Sequence, residues 1–396
     1  MIIIRKSASV SAIGHLKDDI LINYLSDEHF LSKKHFNLND YWVGSIREDS
    51  EEKINRFIAL NKGFKRADRT VVLAAFVADL LINDCKYFNK TDICVSIGSS
   101  RGATGLWEDL YDKYKNNNEY KAELLTSPLT TLAHISTEVA SYLNLSGFSV
   151  DNATTCSTAI QSIINGMAWL KSGMAKSVIA GAAEAPLTPF TLAQIEALKI
   201  YSRLENAAYP CMPLSTDGMD NNTFVLGEGA ALFLMQDISA SEVSDIENCV
   251  VIESVGYAYR RPPSLTGIDD EGTVLQKAMN MALKNQITDN PVDLILMHAP
   301  GTGKGDNAEL NAIKSIFGDD VPDLYSNKWK IGHTYAASAA LNIDLAMLCH
   351  RNKMHLKFPY TNSVINKDKT IKKIMINATG FGGNAASVII AHPSIY

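Results

Sequence analysis

Three side chains in this sequence have the chemistry for acyl transfer. They are Cys156, in the run Thr154-Thr155-Cys156-Ser157-Thr158-Ala159, and two of the nine histidines, His298 and His333. A thiolate is a strong nucleophile toward thioesters. A neutral imidazole either takes a proton or donates a hydrogen bond to developing negative charge. His298 opens His298-Ala299-Pro300-Gly301-Thr302-Gly303-Lys304-Gly305-Asp306-Asn307-Ala308-Glu309, and His333 closes Lys328-Trp329-Lys330-Ile331-Gly332-His333. Each residue taken alone has a second reading: a cysteine in apolar surroundings is filler, and a single histidine is a hydrogen-bonded structural group.

The elements around them favour the chemical reading. Phe148-Ser149-Val150-Asp151 reads as a strand. A helix with apolar positions Ile160, Ile163, Ile164, Met167 and Leu170 follows, so Cys156 falls between a strand end and a helix start. Outward amides and the helix dipole at such a junction favour a thiolate. His298 follows the apolar strand Leu294–Met297, and both histidines precede helices, read over Asn307–Phe317 and Ala336–Cys349.

Elsewhere, residues 1–14 read as strand and turn, and 15–60 as short helical and polar stretches. A buried helix runs over 68–81, and strands cover 93–98, 177–182 and 250–257. Helices occupy 106–116, 131–143, 190–200 and 274–284, and strands 373–377 and 387–391 flank Gly380-Phe381-Gly382-Gly383. Phe224–Leu234 reads as a strand pair about a glycine turn. The loop Ser99-Ser100-Arg101-Gly102-Ala103 lacks the lysine of a phosphate-binding loop and reads as a strand–helix turn. Alternating strands and helices predict an α/β body with buried sheets. Strand, loop and helix recur in the second half without a readable sequence repeat.

Composition narrows the class. The 396 residues are 46% hydrophobic and 20% charged, as in an ordinary globular enzyme. A net charge of −6 argues against a nucleic-acid binder. No apolar run reaches the ~18 residues of a membrane span. Met1–Ile4 is too short for a signal sequence and reads as a first strand. The cysteines at 85, 94, 156, 211, 249 and 349 form no CxxC pair, so neither a zinc site nor a disulfide framework is indicated, and the expected compartment is the cytoplasm. Lys62, Lys65, Arg66 and Arg69 form one basic cluster, either a solvated helix start or a dock for an acidic partner.

Six segments together resemble the β-ketoacyl-acyl-carrier-protein synthases of the thiolase superfamily, over nearly the whole chain. Thr154–Thr158 matches the family's T-A-C-S-S/A nucleophile motif. His298–Glu309 matches H-G-T-G-T-x-x-x-D-x-x-E, and Lys328–His333 matches K-x-x-x-G-H. Asn377–Gly383 matches N-x-x-G-F-G-G, Thr223–Ala230 matches G-F-V-L-G-E-G-A, and Gly181–Ala185 matches G-G-x-E-A.

The resemblance implies a thiolase-like fold of two similar α/β halves, residues 1–235 with the cysteine and 236–396 with both histidines, forming a layered αβαβα body. It implies decarboxylative Claisen condensation: Cys156 carries an acyl chain, and malonyl-acyl-carrier protein loses CO₂ and attacks it. The product is a 3-oxoacyl-acyl-carrier protein, in fatty-acid-like, polyene or polyketide elongation. His298 and His333 would stabilise the enolate, with Lys328 and Glu309 holding the cluster by hydrogen bonds. The backbone amides of Cys156 and Phe381 would form the oxyanion hole, with Phe381 as gate, and Asp306 would order its loop. Pantetheine would pass Thr302, and Lys62, Lys65, Arg66 and Arg69 would dock the acidic acyl carrier protein. No cofactor or metal is expected on the chain itself, because phosphopantetheine arrives on the carrier protein. The expected assembly is a homodimer or a heterodimer with a related chain.

Departures mark a divergent member. Pro300 replaces the family's first threonine, Ser7-Ala8-Ser9 its N-terminal glycines, Asn221-Asn222-Thr223 its R-D-G, and Ala336–Ala339 its glycine–alanine run. They suggest a specialised product. The alternative reading is a chain-length-factor-like partner subunit, but such subunits usually lack the cysteine. Thiolases carry a second catalytic cysteine near the C-terminus, whereas Cys349 falls in a helical stretch. Cys-His-Asn condensing enzymes lack the Gly-His motif, and a cysteine hydrolase needs only one histidine.

Overall fold

The computed structural model describes residues 1–37, 39–82, 92–116, 121–204, 208–215, 222–245, 248–262, 264, 267–352, 354, 356–361 and 370–396. Cys85, Pro263, Asn221 and part of the irregular stretch before Asn222 lie outside the described residues.

Thirteen strands are present among the described residues. They are β1 (Ile2–Ser11), β2 (Ser32–Phe36), β3 (Asn39–Gly44), β4 (Ile93–Gly98), β5 (Ser149–Asn152), β6 (Ser177–Glu184), β7 (Leu226–Gly227), β8 (Gly229–Asp237), β9 (Val250–Tyr259), β10 (Leu294–Leu296), β11 (Asp323–Tyr325), β12 (Lys373–Gly380) and β13 (Asn384–Ala391). Ten form one hydrogen-bonded sheet in the order β11-β10-β12-β13-β9-β1-β8-β6-β4-β5.

That sheet is two copies of one pattern. In the first half β4 runs parallel to β5 and β6, β6 is antiparallel to β8, and β8 is antiparallel to β1. In the second, β10 runs parallel to β11 and β12, β12 is antiparallel to β13, and β13 is antiparallel to β9. The halves meet where Ile3 and Ile4 pair with Val251 and Val250. The repeat invisible in the sequence is thus explicit in the topology.

Helices complete five layers. The helix Ala337–Asn352 is buried from Ala337 to His350, and Thr158–Lys171 packs against it between the two halves of the sheet. Alanines at 337, 339, 340 and 346 let sheets approach a helix from both sides. Arg69–Ile82 and His134–Leu143 cover the outer face of the first half, and Thr273–Lys284 and Gly303–Phe317 that of the second. Asp344 in the central helix is buried, and accepts from Ser9 (2.7 Å) and from Lys17. Ser7, which accepts from Lys17 (3.2 Å), joins this cluster, so the serines that replace the family's N-terminal glycines have a structural use.

Three expectations shift. The polar stretch before residue 45 holds the hairpin β2–β3, because Lys33, Lys34 and His35 face solvent and give no apolar alternation. The three-residue β11 is too short to read from pattern. The helix expected from Asn307 begins at Gly303, despite two glycines in its first turn. Among the described residues no helix is long and apolar enough to cross a membrane.

Candidate active site

The three reactive side chains converge. The Cys156 sulfur and one ring nitrogen each from His298 and His333 lie within 4.8 Å of one another, all buried. The imidazoles stand edge to face with ring centroids 5.1 Å apart.

Each is held by its own element. A short 3-10 turn, Thr155–Ser157, carries Cys156 from β5 into the helix Thr158–Lys171, with Thr155 at φ +53°. Gly380 passes directly against this turn: a Cβ there would stand 1.8 Å from Thr155 Oγ1 and 3.2 Å from the Cys156 amide nitrogen. His333 is stitched to β7, its amide donating to Val225 (2.7 Å) and its carbonyl accepting from Gly227 (3.0 Å). A Cβ on Gly227 would meet the Ile331 carbonyl at 2.3 Å, so the glycine permits that approach. His298 is fixed through its backbone. Glu309 accepts from the amides of His298 (3.0 Å) and Ala299 (2.7 Å) and from Asn377 Nδ2 (3.1 Å), while Ser387 donates to Asn377 Oδ1 (2.8 Å).

Protonation follows from burial. The Tyr335 amide donates to His333 Nδ1 (2.9 Å), so in the neutral ring the proton sits on Nε2. Burial holds both imidazoles well below their ordinary range, aided by the Lys328 cation, so they are neutral. Burial likewise lowers Lys328 to about 8. Cys156 departs from the expected thiolate. Burial pushes its thiol up to about 12, the Glu184 carboxylate adds to the rise, and Lys328 and backbone hydrogen bonding oppose it. Desolvation is the largest of these influences, so the resting group is a thiol beside neutral imidazoles.

Glu184 ends the fully buried β6 and accepts from Ser99 Oγ (2.7 Å) and the amides of Ser100 (2.7 Å), Arg101 (3.1 Å) and Ala336 (3.2 Å). It thus ties the Ser99–Ala103 turn to the segment after His333. Two of that turn's amides point inward at this carboxylate, as suits a strand–helix connection. The sequence motif contained Glu184 without a role. A lone acid closing an apolar strand was the available signal.

The other expected residues are placed as follows. Lys328 donates to the Met297 carbonyl (3.4 Å) rather than to Glu309, so the two hold neighbouring backbone segments instead of pairing. Asp306 accepts from the amides of Leu214 (2.9 Å), Gly301 (3.1 Å) and Thr302 (3.2 Å). Thr302 is the residue before the helix Gly303–Phe317, and with Phe381 it lines a cavity of about 940 Å³ that reaches Cys156 and both histidines. Phe381 is 45% exposed, and its carbonyl accepts from Thr155 Oγ1 (3.3 Å). Lys62, Lys65 and Arg66 are exposed. Arg69 differs from these three: its guanidinium is bonded to both carboxylate oxygens of Glu228 (2.7 and 2.9 Å) and of Glu51 (3.0 and 2.7 Å).

A Cys-His-His set of this size has the donors for a transition metal. The neighbouring Lys328 cation and the proton fixed on His333 Nε2 oppose that use and favour acyl chemistry.

Comparisons with known proteins agree. The family model "Beta-ketoacyl synthase, N-terminal domain" matches residues 27–240, and "Beta-ketoacyl synthase, C-terminal domain" matches 251–358. The putative polyketide beta-ketoacyl synthase 1 of Streptomyces cyaneus is 25% identical over 366 residues, 83% of each chain. The 3-oxoacyl-[acyl-carrier-protein] synthase 2 of Staphylococcus aureus is 25% identical over 351 residues, 83% of this chain and 85% of that one. In fold, the ishigamide ketosynthase/chain length factor superposes with TM-score 0.81 over 98% of each chain at 15% identity.

Proposed function

The chain belongs to the beta-ketoacyl synthase family, and from that premise we propose that it catalyses the decarboxylative condensation of an acyl group on Cys156 with malonyl-acyl-carrier protein. The observation that carries this reading is the convergence of one thiol and two neutral imidazoles at a single cavity. A hydrolase has no use for the second imidazole, and an inactive partner subunit has none for the thiol.

In the first half-reaction the Cys156 sulfur attacks the thioester of an acyl carrier protein, and the pantetheine thiol leaves. The Cys156 proton passes to the neutral ring of His298, which has no hydrogen-bond partner among the described residues, and from there to the leaving sulfur. The amides of Cys156 and Phe381 receive the oxyanion. In the second half-reaction malonyl carrier protein loses CO₂, and the electron pair of the broken C–C bond becomes an enolate. His333 Nε2–H and His298 donate to its oxygen. The enolate carbon attacks acyl-Cys156 and expels the sulfur as a thiolate, which takes a proton from solvent to restore the resting thiol. The 3-oxoacyl product leaves on its carrier, two carbons longer.

Glu309 keeps His298 in place through the backbone, and the Lys328 cation favours the negative charge that forms. The phosphopantetheine belongs to the carrier protein and would pass Thr302, with Pro300 offering no hydroxyl. Lys62, Lys65 and Arg66 are the basic residues free to meet an acidic carrier. The described cysteines are all free thiols, which fits a reducing, cytoplasmic setting.

A second reading concerns assembly. Likeness to a ketosynthase/chain length factor supports work beside a second ketosynthase-like chain, as homodimer or heterodimer, and the departures at Ser7–Ser9, Pro300 and Ala336–Ala339 support a specialised product over bulk fatty-acid elongation. The test is reconstitution with acyl- and malonyl-carrier proteins, scoring 3-oxoacyl products by chromatography. Saturated, polyunsaturated and aryl primers compete in one tube. A product two carbons longer is expected, with unsaturated or aryl primers preferred. Preference for saturated primers removes the specialised-pathway part, and absence of any condensation product removes the whole.

A further inference from the structure

We infer that Tyr335 sets the size of the acyl group that Cys156 can carry, an assignment that deepens the condensing reading and rests on it. Tyr335 and Cys156 line the same cavity and share one apolar cluster with Tyr41, Leu192, Ile195 and Phe224. This apolar wall adjoins the sulfur, so it is where an acyl chain bonded there finds its apolar contacts. Arg261, Thr302 and Lys304 give other parts of the same cavity a polar lining.

Several contacts make Tyr335 a fixed wall. Its φ of +45° is a left-handed conformation that is strained for a bulky residue and persists only where the surroundings enforce it. Here they do. Its amide donates to His333 Nδ1 (2.9 Å), and its carbonyl accepts from the Ser338 amide (3.1 Å). Its ring centroid lies 5.6 Å from that of His333 and 6.0 Å from the Arg101 guanidinium carbon. Arg101 in turn donates to Gln194 Oε1 (2.5 Å) on the helix Pro189–Ala197. The side chain is only 7% exposed. Phe381, which lines the same cavity, contrasts with it: it is 45% exposed, is flanked by glycines, and is tied to the nucleophile turn through its carbonyl. The cavity can therefore yield at Phe381 but not at Tyr335, and the phenol ring defines its limit.

The test uses the full chain and a ladder of saturated acyl-carrier-protein thioesters from about two to about twelve carbons. The readout is the ratio of long-chain to short-chain acylation of Cys156, by intact mass. Tyr335→Leu removes the ring. Tyr335→Phe keeps the ring and removes the hydroxyl. The expected result is a ratio raised about tenfold or more by Tyr335→Leu, the scale on which pockets discriminate by a few methylenes, and held within about threefold of wild type by Tyr335→Phe. An unchanged ratio in Tyr335→Leu overturns the assignment. Tyr335→Met replaces it should the leucine variant not fold.

Should no carrier thioester acylate the wild type, the condensing reading fails while the size limit is still measured. N-alkyl iodoacetamides of rising chain length alkylate Cys156 without a carrier. The wild-type rate must then fall with reagent length more steeply than that of Tyr335→Leu, and equal slopes overturn the assignment.

Discussion

At the scale of single residues, the thiol decides the chemistry. Burial holds Cys156 protonated, its thiol pushed up to about 12, so the thiolate fraction grows about tenfold per pH unit through the neutral range. The alkylation rate of Cys156 by iodoacetamide is therefore expected to climb without a plateau between about pH 7 and about pH 9. A plateau near pH 7 would show that the helix terminus overrides desolvation after all. His333 is a neutral donor through Nε2, because the Tyr335 amide occupies Nδ1. His333→Ala is expected to slow decarboxylation of malonyl carrier protein about 10²–10³-fold, as loss of an oxyanion donor does, and more than it slows Cys156 acylation. Equal losses in both steps would instead place His333 in the acylation step. The types and order of Cys156, His298 and His333 were legible in the sequence through their motifs. Their protonation states were not, because the sequence displays the helix start that favours charge and conceals the burial that opposes it. Arg69 is a parallel case: the sequence shows a cation among cations, and only the fold brings Glu51 and Glu228 to it.

At the scale of elements, the site depends on backbone contacts that span large sequence distances. Glu309 satisfies two amides of the His298 loop and the Asn377 side chain, so Glu309→Ala strands three buried donors. At about 1–3 kcal/mol for each unsatisfied group, partly relieved by water, a loss of about 3 kcal/mol in urea denaturation is expected. A loss under about 1 kcal/mol would mean that the loop finds other partners. Gly380→Ala would drive a methyl group into Thr155 Oγ1 and displace the nucleophile turn. It should slow Cys156 acylation by at least about tenfold with little change in overall secondary structure by circular dichroism, whereas unchanged acylation would show that the turn yields freely. Long apolar elements such as Arg69–Ile82 and Ile93–Gly98 were legible from periodicity. The hairpin β2–β3 was not, because Ser32–Phe36 buries none of its five side chains and so carries no alternation. Tyr335, Arg101 and Gln194 carried no signal either. They are ordinary residues until three separate segments meet.

At the scale of the whole molecule, two five-stranded patterns of identical order enclose a central helix, and the nucleophile enters from one half and both histidines from the other. The sequence announced alternating strands and helices but not the repeat, since strand order is fixed by pairing partners far apart in the chain, such as Ile2 and Asp237. The buried charge in the central helix ties the halves together. Burial pushes the Asp344 carboxyl up, but Lys17 and the hydrogen bonds from Ser7 and Ser9 together leave it lowered, so this stabilisation is present above the usual carboxylate range and is lost as pH falls through the lowered value. Lys17→Met should cost about 3 kcal/mol near neutral pH by leaving Asp344 uncompensated, and the difference from wild type should shrink toward about pH 4, where Asp344 can take a proton. A pH-independent difference would assign the loss to packing alone. The central claim is that Cys156 is the site of acyl attachment within a condensing centre. It is met most directly by intact-protein mass spectrometry of the wild type and Cys156→Ala, first with acyl carrier proteins and then with malonyl carrier protein. The wild type should gain one acyl mass, mapped to Cys156, and lose it on malonyl addition as a chain two carbons longer appears, while Cys156→Ala gains nothing. A folded wild type that stays free with every primer would contradict the claim and point to a partner subunit that needs a second chain.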